Sequence, residues 1–253
     1  MAKIISVHSY RGGTGKSNLT SNIAAIIARH GYRVGIVDTD IQSPGIHVLF
    51  GFDETRINLA LNDYIWGNTA IENTAYDVTS VLNNKGTENS KLYLVPSSVK
   101  VNDIARVLRE GYNVEMLNQG FQNLIEKLDL DYLLIDTHPG LNEETLLSIA
   151  MSDIFVLILR PDQQDYQGSA VTLDVAQRLE VPKMLLVVNK VPQTLNLVQL
   201  REKVREAYST EVAGMLPHSE ELMTLASNGV FALQYPEHEL SLVLEEIATK
   251  VIR

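Results

Sequence analysis

The sequence predicts an α/β fold: one doubly wound, mostly parallel sheet of about seven or eight strands, with helices on both faces. Three observations predict it. Strand-like and helix-like stretches alternate along the chain. Most of the strand-like stretches are continuous apolar runs, the pattern of a parallel strand buried on both faces. A glycine-rich turn joins the first strand to the first helix.

In order, strands are expected at Lys3–His8, Arg33–Val37, Lys91–Val95, Tyr132–Ile135, Ile154–Leu159 and Lys183–Val188, with a fainter signal at Glu211–Leu216. Helices are expected between them. Lys16–His30 repeats apolar residues at Leu19, Ile23, Ile26 and Ile27, and Gly31 follows as a good C-terminal stop. Val114–Leu128, Asn142–Met151, Asp165–Leu179, Leu195–Tyr208, Ser219–Asn228 and Glu239–Ile252 read in the same way. Residues 51–90 are less regular, and Asn83–Ser90 reads as a polar turn or loop. With no Pro/Gly/Ser-rich linker and no repeat, residues 1–253 are expected to form a single domain.

Composition narrows the class. Hydrophobic residues make up 45% and charged residues 21%, as in ordinary globular chains. The net charge of −10 argues against a surface coated in basic residues for nucleic acid. The chain has no cysteine, which removes disulfides, thiolate metal sites and thiol catalysis. The longest apolar run, Ile154–Leu159, is far short of the roughly 20 residues of a membrane span. A cytoplasmic protein is expected.

The strongest chemical signal is Ser9-Tyr-Arg-Gly-Gly-Thr-Gly-Lys-Ser17, lying between the first strand and the first helix. That order is the setting of a phosphate-binding P-loop. Glycines let successive backbone N–H groups converge on one anion, and the helix N-terminus adds its positive end. Gly12, Gly13, Thr14, Gly15, Lys16, Ser17 and Asn18 are therefore candidate nucleotide-binding residues. Lys16 would reach the β- and γ-phosphates, and the Ser17 hydroxyl would ligate Mg²⁺. Tyr10 stands where the standard pattern has its first glycine.

Two further strands end in carboxylates, Asp38-Thr-Asp40 and Asp136-Thr-His-Pro-Gly140. In open α/β sheets that edge is where ligands bind. An aspartate there holds Mg²⁺ or orients a water; alone, it is more often a turn or helix-capping residue. Asn189-Lys190 ends the sixth strand, with Pro192 where a guanine-reading aspartate would stand, so ATP is favoured over GTP.

These motifs resemble the MinD/ParA family of deviant-Walker ATPases over nearly the whole chain. The loop resembles the family's Lys-Gly-Gly-x-Gly-Lys-Thr/Ser, and Asp38-Thr-Asp40-Ile-Gln42 resembles its switch I. Asp136-Thr-His-Pro-Gly-Leu141 is similar to Walker B and switch II, and Gly214-Met-Leu-Pro217 is similar to the turn beside the adenine. The resemblance implies a Mg²⁺-dependent ATPase that dimerises on ATP, separates on hydrolysis with an activating partner protein, and positions a cargo. Asp38 would orient the attacking water, Asp40 and Asp136 would serve the metal, and Asn189 and Pro217 would flank the base. Arg11 stands in place of the lysine that acts across the dimer, which makes it a catalytic candidate beside Lys16 and Asp38. Asn18 replaces a threonine, and His138 stands where the family keeps a small residue; it reads as a loop residue.

DNA is a candidate partner through Arg201, Lys203, Arg205, Lys250 and Arg253, although Glu202, Glu206 and Glu211 lie among them. Direct membrane binding is not expected. In Glu239–Ile252, Leu240, Leu244, Ile247 and Val251 form one core-facing stripe, and Glu245 and Glu246 would repel anionic lipid. Two other classes stay open: a nucleotide-gated binding module with little hydrolysis, and a small-molecule ligase.

Overall fold

A computed structural model of the chain describes residues 2–225 and 227–253. Eight strands form one sheet in the order β3-β4-β2-β5-β1-β6-β7-β8. They are β1 (Lys3–His8), β2 (Arg33–Asp38), β3 (Tyr76–Asp77), β4 (Lys91–Val95), β5 (Tyr132–Asp136), β6 (Ile154–Leu159), β7 (Lys183–Val191) and β8 (Glu211–Pro217). All neighbours run parallel except the two-residue β3, which pairs antiparallel with β4. The expected doubly wound sheet is present.

The helices are α1 (Lys16–Arg29), α2 (Leu61–Ile65), α3 (Val101–Glu110), α4 (Glu115–Leu128), α5 (Glu143–Ala150), α6 (Gln163–Arg178), α7 (Leu197–Tyr208), α8 (Glu220–Leu225), α9 (Phe231–Gln234) and α10 (Glu239–Ile252). Alternate residues of each central strand serve opposite layers, which is why the strands read as unbroken apolar runs. Ile5, Val7, Val34, Ile36, Val156 and Val187 pack under α1, α9 and α10. Ile4, Val37 and Leu133 face α2 and α4. Phe155, Leu157, Leu186 and Val188 face α6 and α7.

α1 stops at Arg29, and Gly31 follows at φ +99°, as its sequence position implies. α10 buries Leu240, Leu244, Ile247 and Val251, the expected stripe. Four of these elements fall outside the sequence expectation: β3, α3 and the short α2 and α9. β3 is too short to carry a pattern. α3 buries only Val107 among its ten residues; Val101, Ile104, Ala105 and Leu108 recur at helical spacing, but Val101 and Leu108 stay exposed rather than facing the core.

The register positions the site. Asp38 at the end of β2 stands opposite Asp136 at the end of β5. Val7 of β1 also stands opposite Asp136, so the glycine loop leaves the sheet beside that carboxylate. β1 lies between β5 and β6, inside the sheet, and the loop emerges at its carboxyl edge.

Candidate nucleotide site

The loop of residues 9–15 is shaped by positive φ at Gly13 (+74°) and Gly15 (+99°). Gly15 caps α1 without any side-chain hydrogen bond, and the first turn of the helix carries no acidic residue. The first N–H groups of a 14-residue helix are thus left to face an anion. The end of β7 holds the loop from the side. Asn189 Nδ2 donates to the Thr14 carbonyl at 2.8 Å, and Asn189 Oδ1 accepts from the Lys190 N–H at 2.8 Å. Lys190 Nζ donates to the Gly13 carbonyl at 2.8 Å, from a backbone held at φ +54°. Gly140 N–H reaches the Ser9 carbonyl at 3.1 Å and ties the loop to the segment after β5.

The sequence reading did not single out Lys190 as a site residue. Its signal was present as the Asn-Lys pair closing an apolar strand. Asn189 was expected beside a base; its amide is spent on the loop itself. Pro217 lines a cavity of about 660 Å³ together with Val191, Pro192, Ser219 and Leu240.

Three carboxylates converge below the loop. Asp136 is 1% exposed. Its Oδ1 accepts from Thr20 Oγ1 at 3.2 Å, while its Oδ2 is buried with no hydrogen-bond partner among the described residues. Burial raises its pKa, opposed by the charge of Lys16 and by the Ser17 and Thr20 hydroxyls. Asp38 is fully buried, and both of its oxygens are engaged. Oδ1 accepts from the Asp40 N–H at 3.0 Å and Oδ2 from the Gly45 N–H at 3.3 Å. Burial pushes its pKa well above the usual carboxylate range, with Asp136 and Asp40 adding repulsion. Asp40 Oδ1 accepts from Ser43 Oγ at 2.9 Å and faces His138 Nδ1 at 2.7 Å. His138 therefore makes a specific contact where the sequence suggested only a loop residue, because β2 and β5 are neighbours and bring their following loops together.

Arg11 lies apart from this group. Its Nη1 is 3.5 Å from both Asp162 and Asp165 at the start of α6. Asp165 also holds Arg160, whose Nε donates to it at 3.0 Å. Beneath the loop, His8 is buried and stacked on Phe155, with Nδ1 2.7 Å from Thr137 Oγ1. Burial, then the nearby Lys16 charge, lower its pKa to about 3, so it stays neutral.

Mg²⁺ fits the donors present. It commonly takes one or two carboxylates and completes its shell with water and phosphate oxygens. A buried, unpartnered oxygen of Asp136 beside the Ser17 hydroxyl meets that description.

Residues 1–252 match the family described as ParA: NUBPL iron-transfer P-loop NTPase. An uncharacterized ATP-binding protein of Methanocaldococcus jannaschii is 24% identical over 100% of this chain and 88% of its own length. An iron–sulfur cluster carrier protein of Pseudomonas fragi is 26% identical across 97% of this chain and 83% of its own length. In fold, the chain is similar to the septum site-determining protein MinD of Pyrococcus horikoshii, solved with Mg-ADP. That likeness has a TM-score of 0.78 at 20% identity and covers 99% of this chain and 96% of that one. With β1, the glycine loop and α1 in the order such a site requires, and a family match along all but one residue, the chain belongs to the ParA-type P-loop NTPases.

Proposed function

We propose that this P-loop NTPase is a Mg²⁺-dependent ATPase that works as an ATP-gated dimerisation switch and positions or partitions an intracellular cargo in the cytoplasm. The observation that carries the reading is the unpartnered, buried Oδ2 of Asp136 beside Lys16 and Ser17, under a helix N-terminus free of capping side chains. Gly12, Gly13, Thr14, Gly15 and Asn18 complete the phosphate side. Lys16 would neutralise the β- and γ-phosphates, and Ser17 and Asp136 would hold Mg²⁺, Asp136 through water. Bound Mg²⁺ would offset charge on the phosphate oxygens.

Asp38 would orient the attacking water. Both of its oxygens now hold backbone N–H groups of the 38–45 turn. Each oxygen keeps acceptor capacity, but Asp38 is fully buried. It would reach a water only after that turn shifts, so intrinsic turnover would be slow and an activating protein would work by moving the turn. Asp40 would join the metal site through the same movement. In the dimer, Arg11 would leave Asp162 and Asp165 for the phosphates of the second subunit.

The DNA-facing candidates are largely engaged within the chain. Arg201 donates to the Val212 carbonyl, Arg205 pairs with Glu202, and Lys250 pairs with Glu211. Among the described residues no helix is long and apolar enough to cross a membrane. A second reading has its own support in the carrier proteins among the relatives: nucleotide gates an interaction and hydrolysis is minor. Cluster carriage itself calls for thiolates, and the chain has none.

One assay separates these readings. ATP binding and phosphate release are measured with and without Mg²⁺, then with DNA, anionic liposomes and candidate partner proteins. Mg²⁺-dependent turnover that one addition accelerates supports the switch. Binding without release under every condition supports the gated module, and no Mg²⁺-dependent binding at all overturns both.

A further inference from the structure

His138 lies between β5 and α5, two residues beyond Asp136. Its Nδ1 is 2.7 Å from Asp40 Oδ1, with side chains only 21% and 12% exposed. The same Asp40 oxygen accepts from Ser43 N–H at 3.2 Å and Ser43 Oγ at 2.9 Å, and so closes the turn that follows β2. An ionised carboxylate only accepts, so the proton of this bond belongs to His138 Nδ1. The carbonyl of His138 accepts from Thr145 Oγ1 at 3.4 Å, which anchors the residue to the first turn of α5. Two residues on, Gly140 holds the glycine loop through Ser9.

We propose that His138 is a positioning residue: it clasps the turn after β2 to the segment after β5, so that the two loops flanking the phosphate site move as one body. The start of the turn is tied to neighbouring strands, with Thr39 N–H and Thr39 Oγ1 donating to the Asp136 carbonyl at 2.9 and 3.0 Å and Ser97 Oγ donating to the Asp38 carbonyl at 2.7 Å. Beyond Thr39, Asp38 accepts the Asp40 and Gly45 N–H groups from within. The imidazole is the side chain that crosses from the β5 loop to Asp40. Any displacement of Gly140 by a ligand on the glycine loop is then passed through His138 to the carboxylate that sets the turn. That consequence rests on the nucleotide-switch reading; the clasp itself does not.

The test is hydrogen exchange at the Ser43 and Gly45 amides, first without nucleotide, in wild type, His138→Ala, His138→Asn and His138→Gln. Asparagine places an N–H near the position of Nδ1, and glutamine places one near Nε2. Losing a hydrogen bond to a charged acceptor should speed exchange at both amides on the order of tenfold in His138→Ala. His138→Asn should restore most of the protection and His138→Gln should not. Exchange unchanged in a folded His138→Ala, or equal rescue by both amides, overturns the clasp. Should His138→Ala fail to fold, the Asn and Gln variants decide alone. In the second arm, Mg²⁺ and a non-hydrolysable ATP analogue are titrated in. In wild type, exchange at residues 43–45 and 138–142 should change with one midpoint, and in His138→Ala the midpoints should separate. A single midpoint in both proteins overturns the coupling. No response in wild type overturns the nucleotide reading and leaves the first arm to judge the clasp.

Discussion

Replacing Gly15 by alanine tests how the loop is built. Gly15 sits at φ +99°, and a β-carbon there would lie 2.5 Å from Asn189 Nδ2. The conformation alone costs a non-glycine residue roughly 1–2 kcal/mol. The clash is worse, because Asn189 is 7% exposed and both ends of its amide are bonded, to Thr14 and Lys190. Pushing it aside gives up bonds worth about 1 kcal/mol each. Gly13→Ala is the matched control: its φ is +74°, and nothing lies within 4 Å of the added carbon. The two variants should therefore differ by roughly 2 kcal/mol in unfolding free energy, with Gly15→Ala the less stable. ATP affinity should fall further in Gly15→Ala, since Asn189 fixes the Thr14 carbonyl. Urea denaturation and calorimetric titration give both quantities. Equal stability of the two variants, within about 0.5 kcal/mol, would refute the view that β7 clamps the loop through Asn189.

Three further outcomes follow. Asp136→Asn removes a buried charge whose folded pKa is raised. Such a group stabilises the fold at pH below its unfolded value near ~4, and that stability is lost as pH rises through the folded value. The variant should melt above wild type at neutral pH, lose that advantage toward pH ~4, and lose all Mg²⁺-dependent stabilisation by nucleotide; a normal Mg²⁺ response would remove Asp136 from the metal site. Lys190→Met breaks the bond to the Gly13 carbonyl and should weaken ATP binding about fivefold, equivalent to about 1 kcal/mol at an exposed position, with Lys190→Arg closer to wild type. Arg11→Ala should change stability by less than about 1 kcal/mol, since the side chain is 39% exposed and Asp165 keeps Arg160. ATP-dependent dimerisation, followed by light scattering, should nevertheless fall; an unaffected dimer and an unaffected ATPase rate would end the proposed role across the interface.

The fold was legible because its signals were local and repeated. Six apolar runs, a glycine turn and a Gly31 stop each describe a stretch shorter than twenty residues, and each corresponds to an element of the sheet or to α1. The candidate site was legible to the extent that its residues lie at strand ends. Register alone then brings Asp38 against Asp136. What could not be read were contacts between loops distant in sequence. His138 and Asp40 are 98 residues apart, and Lys190 and Gly13 are 177 apart. No periodicity encodes such pairs; they follow from strand order. The same holds for Arg11, whose neighbours at the start of α6 lie 151 and 154 residues away.

The electrostatics of the site suggest why a ligand should matter to it. Asp38, Asp40 and Asp136 crowd one sheet edge, and two of them are buried so completely that their ionised forms are penalised. Lys16 is the cation acting on Asp136, and it is held at 7% exposure. A buried charge without full pairing costs far more than a surface one. The penalty on the ionised carboxylates is therefore localised at this sheet edge, and on the proposed function a divalent cation there would relieve it. Because Asp38 and Asp40 also hold the turn of residues 38–45, relief at the carboxylates changes what holds that turn. If the proposed function holds, cation binding and loop movement would be two readings of one set of hydrogen bonds, which is what a switch requires of its site.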